Sequence, residues 1–268
     1  MKNFKLCIAY DGTSFLGWQK TPIGPTIEES LEKALEQILQ EKVTLQAASR
    51  TDAGVHADGQ VVNFLTNKPI QSLEKLKKSI NSLLPPSIRL LTLEEMPLDF
   101  HPTLDSQGKE YEYLVYNSPV QLPKYRLFSW HVPLPIDLVK MTQGAKILLG
   151  THDFSTFCND LSLSKKNPIC TLYSISIDKK ENNRLSFKII GDRFLFRMMR
   201  NLVGTLVYVG QNKIPIEDLQ EILSNKKRAN AGVTAPPQGL YLTQVFYKKT
   251  EIDILSRINT SKSENPPC

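Results

Sequence analysis

The chain has 268 residues, of which 41% are hydrophobic and 22% charged, and its formal net charge at pH 7 is +6. These values predict a globular protein with a hydrophobic core, built as one large domain or two smaller ones. They exclude a chain too polar to fold, and the modest basic excess is compatible with an anionic partner such as a nucleic acid.

The cysteines and the N-terminal stretch indicate the cellular compartment. Cys7, Cys158, Cys170 and Cys268 form no CxxC pair, which argues against a zinc site and against a disulfide framework. The first residues lead directly into a strand pattern and lack the apolar core of a signal peptide. No apolar run approaches the roughly 20 residues of a membrane-spanning helix. We therefore expect a cytoplasmic protein with no membrane association.

In the first half of the chain, hydrophobic periodicity predicts six elements. Alternation from Phe4 to Tyr10 is typical of a half-buried strand, and Thr26 with Glu29 forms a capping box that opens a helix. Pro85 and Pro86 end a second predicted helix, which covers residues 73–83. In order, the predicted elements are strand 4–10, helix 27–39, strand 43–49, strand 60–66, helix 73–83 and strand 88–93. This βαββαβ order is that of a ferredoxin-like domain.

In the second half, the same order returns with one additional short helix. The predicted elements are strand 109–117, helix 137–149, strands 171–179 and 184–190, helix 193–209, helix 215–223 and strand 240–247. We therefore predict an α+β fold of two ferredoxin-like βαββαβ halves whose antiparallel sheets join around a central catalytic cleft. The predicted halves are residues 1–104 and 105–248. Residues 249–268 form a polar tail that we expect to be disordered.

The segment 46–60, QAASRTDAGVHADGQ, contains the strongest candidate for chemistry, Asp52. It follows a predicted strand end, and loops on rigid scaffolds commonly carry catalytic groups. The alternative is that Asp52 only forms a turn, since Asp followed by Ala-Gly is common in turns. In the upstream loop, Phe15 and Trp18 leave two interpretations open: stacking on a base or covering the edge of the core.

Three arginines and a tyrosine are the other candidates for the cleft. Arg193, Arg197 and Arg200 follow one another at spacings of four and three on an apolar predicted helix, so we expect them to share one face. A carboxylate, a phosphate or a structural ion pair would satisfy them. An arginine beside Asp52 would lower the pKa of that carboxyl group, and an ionised carboxylate serves as a nucleophile or base. Tyr111 would pack on a flat substrate or lie in the core.

Other classes of site lack support in the sequence. Asp52, His56 and Asp58 are metal ligands by type, but their spacing matches no known site, so we expect no metal. The motifs GxxxxGK[ST] and GxGxxG are absent, so we expect no nucleotide cofactor. A serine triad has no GxSxG motif to support it.

A series of short motifs resembles the tRNA pseudouridine synthase A (TruA) family, and the motifs occur in the family's order. The SRTDAGVHA motif is highly specific in that context, and the resemblance covers nearly all of residues 4–247. The matching motifs are IAYDGTSFLGWQ (8–19), SRTDAGVHA (49–57), FH (100–101), KEYEY (109–113), GTHDF (150–154), MRNLVG (199–204) and GLYL (239–242).

The resemblance implies a cofactor-free isomerase that converts uridine to pseudouridine at positions 38, 39 and 40 of the tRNA anticodon stem-loop. It implies that Asp52 is the essential nucleophile, that Tyr111 contacts the uracil, and that Arg200 pairs with the aspartate and holds the nucleotide. Arg50 would enter the RNA where the flipped base had been. The family is homodimeric, with the tRNA spanning both subunits.

The sequence departs from the family pattern at a few positions, and two alternative functions remain open. Ser49 stands where many relatives have glycine, and Arg197 lies at a variable position, where a phosphate contact is the more suitable role. The alternatives to an isomerase are an RNA-binding protein without turnover and a hydrolase that uses Asp52 on a nucleoside-like substrate.

Overall fold

The computed structural model describes residues 1–159 and 167–264, with side chains up to residue 256. The described chain contains both helices and ten strands, which confirms the predicted mixed α+β class. The chain divides into two compact units. One consists of Met1–Gln107 with Tyr241–Tyr247, and the other of Gly108–Leu240 with Lys248–Cys268. Among the described residues, no helix combines the length and apolarity needed to cross a membrane.

The first unit has the element order predicted for residues 1–104. Its sheet follows the order β4-β1-β3, and both β2 and β10 pair with β3. All of these pairs are antiparallel except β10 with β3, which is parallel. The elements are β1 (Lys2–Tyr10), α1 (Ile27–Leu39), β2 (Gln46–Ala47), β3 (His56–Thr66), α2 (Leu73–Leu83), β4 (Ile88–Met96) and β10 (Leu240–Phe246).

The core of the first unit forms from β1 and α1. In β1, Phe4, Leu6 and Ile8 are fully buried and alternate with less buried residues. Helix α1 begins after Thr26, whose hydroxyl accepts a hydrogen bond from the Glu29 N–H at 3.3 Å, as the predicted capping box requires. Burial of each large apolar side chain stabilises the fold by about 1.5–3 kcal/mol. Strand β2 is shorter than predicted because the chain leaves the ladder after Ala48 to enter the Asp52 loop.

The second unit contains a sheet in the order β6-β5-β9-β8-β7. Strand β6 is parallel to β5, and the other pairs are antiparallel. The short strands β6 and β7 were not predicted. The elements are β5 (Gly108–Asn117), β6 (Trp130–Val132), α3 (Leu138–Ile147), β7 (Gly150–Asp153), β8 (Ile169–Lys180), β9 (Arg184–Gly191), α4 (Met198–Gly210), α5 (Leu219–Ser224) and α6 (Lys249–Glu264).

The start of α4 differs from the prediction of a helix from residue 193. The Asp192 carboxylate accepts hydrogen bonds from the N–H groups of Thr171 and Arg193, which ties this segment to β8. Arg197 then adopts a left-handed conformation with φ of +60°, and the helix begins at Met198. The prediction that Arg193, Arg197 and Arg200 share one helix face is therefore wrong.

The C-terminal segment also differs from the expected disordered tail. Residues 249–264 form α6, whose Ile252 is 3% exposed and packs near Gly108. One buried isoleucine and contact with β8 order a segment whose polar composition predicts disorder. Residues 265–268 of the expected tail lie outside the described residues.

Candidate active site

Asp52 lies in the loop between β2 and β3 of the first unit, and the main chain on both sides of it is anchored. The Thr51 hydroxyl hydrogen-bonds to the Tyr10 hydroxyl at 2.8 Å, and the Thr51 carbonyl accepts from the Trp18 N–H at 3.0 Å. The Asp52 carbonyl accepts from the Val55 N–H at 3.1 Å, which closes a tight turn. The Asp52 side chain is half-buried. This arrangement fixes the backbone of a carboxylate that still reaches the surface.

Two glycines of the 8–19 motif allow that loop to pack directly on the Asp52 loop. Gly17 has φ of +89°, and a Cβ atom there would lie 2.5 Å from the Thr51 carbonyl oxygen. A Cβ atom at Gly12 would lie 2.0 Å from the Val55 carbonyl oxygen. Any side chain at either position would force the two loops apart. The first two motifs of the sequence are therefore parts of one structure.

We expect Gly17→Ala to reduce the free energy of unfolding by about 1–3 kcal/mol, because it combines a left-handed backbone with a main-chain clash. Displacement of the Asp52 loop should also lower any activity that depends on that carboxylate. Urea unfolding measures the first effect. Gly24→Ala is the matched control, since the atoms that its Cβ would meet in the described part of the chain belong to the flexible side chain of Leu16. Equal stability of the two variants would contradict this account of the loop.

The aromatic residues of the upstream loop cover the core. Phe15 is 8% exposed and Trp18 is 2% exposed. Both rings therefore contribute to the core, which is the structural one of the two interpretations left open by the sequence.

His56 anchors the end of the Asp52 loop. It is 1% exposed, stacks on Tyr241 with ring centroids 4.7 Å apart, and its Nδ1 accepts the Gly12 N–H at 3.1 Å. Because Nδ1 accepts that bond, the proton of the neutral imidazole lies on Nε2. Asp11 Oδ1 lies 3.3 Å from Nδ1, but in this tautomer the contact is not a hydrogen bond. Among the described residues, no three His, Cys, Asp or Glu side chains are placed to hold a metal ion.

Gln60 is a part of the loop's support that the sequence analysis missed. It is completely buried in β3, and its side-chain amide bonds to both main-chain groups of Ser49. The Ser49 N–H donates to Gln60 Oε1 at 3.3 Å, and Gln60 Nε2 donates to the Ser49 carbonyl at 2.6 Å. The only signal in the sequence was the position of Gln60 at the end of the motif-bearing segment. Arg50, immediately after Ser49, is exposed.

In the second unit, Tyr111 and Tyr113 lie on the same side of β5 in different environments. Tyr111 is 6% exposed, and its ring makes a T-shaped contact with the Phe194 ring, with centroids 4.9 Å apart. Tyr113 is fully buried, and its hydroxyl donates to the Pro236 carbonyl at 2.7 Å. Burial raises the pKa of Tyr113 well above its ordinary value, and nearby Arg200 opposes part of that shift. Tyr113 is therefore a neutral core residue.

Arg200 lies in the first turn of α4 and is 9% exposed. Its Nε donates to the Ala235 carbonyl at 2.6 Å, and its own carbonyl accepts from the Ala235 N–H at 3.1 Å. The other two arginines have different surroundings. Arg193 donates to the carbonyls of Asn167 and Ile169, and exposed Arg197 lies over the Phe196 ring. Of the three, Arg200 is the one that bonds to Ala235, through both its side chain and its main-chain carbonyl.

The candidate residues are thus distributed over both units. Arg50 and Asp52 belong to one anchored loop of the first unit, and Tyr111 and Arg200 to β5 and α4 of the second. Each side chain is attached to a regular element or to a loop that is hydrogen-bonded on both sides. This is the rigid support that a functional site requires.

Comparison with known protein families gives a match over most of the chain. A family model described as tRNA pseudouridine synthase matches residues 6–105 and 145–248. Arg50, Asp52 and Arg200 lie within the matched residues, and Tyr111 lies between the two matched segments.

Individual relatives match over nearly their whole length. A tRNA pseudouridine synthase A 2 of Protochlamydia amoebophila is 52% identical, with 92% of this chain and 95% of the relative covered. The tRNA pseudouridine synthase A proteins of Thermoanaerobacter sp. (strain X514) and Acetivibrio thermocellus are 41% and 42% identical, each over 92% of this chain and 100% of the relative. The chain belongs to the tRNA pseudouridine synthase family.

Proposed function

We propose that this protein isomerises uridine to pseudouridine in tRNA, at positions 38, 39 and 40 of the anticodon stem-loop. The observation that carries the proposal is the 52% identity to a tRNA pseudouridine synthase A over 92% of the chain. The anchored RTDAGVHA loop supports it, because a carboxylate fixed at the surface suits covalent chemistry on a nucleotide. The choice of positions and the homodimer follow from the resemblance described above, and the cytoplasmic location follows from the scattered cysteines.

The proposed reaction breaks the C1′–N1 bond of uridine and joins C1′ to C5 of the turned uracil. The hydrogen on C5 leaves as a proton, and N1 gains a proton. The exchange involves no net oxidation, reduction or hydrolysis, so its overall balance requires no redox cofactor.

Asp52 is the proposed nucleophile. Its main chain is fixed by hydrogen bonds at Thr51 and Val55, while its side chain remains half-buried rather than enclosed. Fixing the backbone on both sides limits the entropy lost when the carboxylate meets the nucleotide. A side chain that reaches the surface is accessible to a base flipped out of an RNA stem.

The remaining proposed residues bind the substrate. Tyr111 supplies an aromatic ring for the uracil, and Arg200 supplies a guanidinium for the nucleotide. Arg50, exposed two residues before Asp52, would fill the space left in the RNA stack. Base flipping costs a few kcal/mol, and these contacts would offset part of that cost.

Tritium release tests the proposal directly. Incubation of the protein with tRNA labelled with tritium at uridine C5 should release tritium to water without producing free uracil. A matched transcript with cytidine at positions 38, 39 and 40 should release none. Binding without release would identify an RNA-binding protein, and free uracil would identify a hydrolase.

A further inference from the structure

We infer that Arg228 is a positioning residue that holds Arg200 in place for the reaction. The inference rests on the proposed function, because it gives Arg200 a role in holding the target nucleotide. Arg228 itself is assigned no contact with the substrate. The argument concerns the segment 228–236, which we call the Arg228 segment, and the first turns of α4.

The Arg228 guanidinium donates hydrogen bonds both to α4 and to the Arg228 segment. Its Nη2 donates to Asn201 Oδ1 at 2.9 Å and to Thr234 Oγ1 at 2.7 Å. Its Nη1 donates to the Gly232 carbonyl at 2.9 Å. The guanidinium holds these acceptors through the fixed geometry of its donors, a property that lysine lacks.

Arg228 binds three side chains, those of Asn159, Asn201 and Thr234. Two of these residues are sequence neighbours of Arg200 and of the residue that holds its side chain. Asn201 follows Arg200 in α4, and Thr234 precedes Ala235, whose carbonyl accepts from Arg200 Nε at 2.6 Å. The Thr234 hydroxyl also donates to Asn201 Oδ1 at 2.7 Å, which closes a ring of bonds with Arg228. A shift at Arg228 would therefore reach Arg200 through its backbone and through its side-chain acceptor.

Close packing allows the Arg228 segment little freedom to compensate. A Cβ atom at Gly204 of α4 would lie 1.7 Å from the Val233 carbonyl oxygen, so helix and segment are in main-chain contact. The Gly232 N–H donates to Thr205 Oγ1 at 2.9 Å. A segment held this closely shifts as a unit, and a displacement of about 1 Å at a binding group can cost about 100-fold in rate.

The test is a double-mutant cycle measured by single-turnover tritium release. Arg228→Lys keeps the charge and removes the guanidinium, so we expect the rate to fall about 10- to 100-fold while the Kd for tRNA changes less than about threefold. In an Arg200→Lys background the same change should cost less than about threefold, because the group that it positions is already altered. Arg126→Lys is the control, since Arg126 is exposed and its side chain bonds to the Pro123 carbonyl of its own turn.

A second variant keeps the inference testable if Arg228→Lys does not fold. Thr234→Val removes one arm of the ring and keeps the side-chain volume, and we expect a smaller rate loss that also disappears in the Arg200→Lys background. An unchanged rate in both Arg228→Lys and Thr234→Val would overturn the inference. Equal fold losses in both backgrounds would overturn it as well. Failure of the proposed function is distinct, since wild-type protein would then release no tritium.

Discussion

Asp52→Asn should abolish pseudouridine formation and leave tRNA binding within a few-fold of wild type. The amide has nearly the same shape, and the turn at this position uses the Asp52 carbonyl, which the substitution retains. The nucleophilic oxygen is lost, so we expect the single-turnover rate to fall by at least about 10³-fold. Binding should persist because most of the affinity for RNA comes from basic groups on phosphates. Tritium release and filter binding measure the two quantities separately.

Asp99→Asn is the matched control, because Asp99 is an exposed carboxylate of the same unit. It makes the same chemical change outside the loop and should leave the rate unchanged. If Asp52→Asn retained more than about a tenth of the wild-type rate, a nucleophilic role for this residue would be excluded.

The second large effect should separate Tyr111 from Tyr113. Both rings are buried on one side of β5, so either alanine substitution leaves a cavity. We expect Tyr111→Ala to lower the turnover of the folded enzyme by about 100-fold, because it removes the proposed uracil contact. Tyr113→Ala should cost about 3–5 kcal/mol of unfolding free energy and leave the turnover of the folded fraction within tenfold of wild type.

One phenylalanine variant refines this comparison. Tyr113→Phe removes only the hydroxyl that donates to the Pro236 carbonyl and should cost about 1 kcal/mol of stability, with a far smaller loss of rate than Tyr111→Ala. Urea unfolding and single-turnover rates, measured at a temperature where each variant is folded, give the result. Equal rate losses for Tyr111→Ala and Tyr113→Ala would show that the wrong tyrosine has been assigned to the substrate.

The sequence predicted most of the first unit because its elements are determined locally. The alternation in β1 and the Thr26 cap are short-range signals, and both are present in the structure. Strands β6 and β7 contain three and four residues, too few for a hydrophobic period to be detected.

The errors arose where a contact between distant residues decides the conformation. The apolar pattern from residue 193 favours a helix, but the Asp192 carboxylate bonds the chain to Thr171 and delays the helix to Met198. The tail composition favours disorder, yet Ile252 is buried. Local propensity cannot reveal a partner that lies tens of residues away.

The candidate site could be predicted from the sequence only through its motifs. Asp52 alone is indistinguishable from a turn residue, and the resemblance identified it. The contacts that hold the candidate residues in place were not predictable, because they depend on the tertiary structure. They are the hydrogen bond of Gln60 to Ser49, the packing of Gly17 against Thr51, and the hydrogen bond of Arg228 to Asn201. Such residues are identified by their contacts, because their residue types are common throughout the chain.

The most direct test of the whole account is a map of pseudouridine in tRNA from cells that lack this protein. We predict unmodified uridine at positions 38, 39 and 40 in those cells, with pseudouridine restored by the wild-type gene and not by the Asp52→Asn variant. Pseudouridine that persists at all three positions without the protein, or that returns with Asp52→Asn, would contradict the proposed function and its nucleophile.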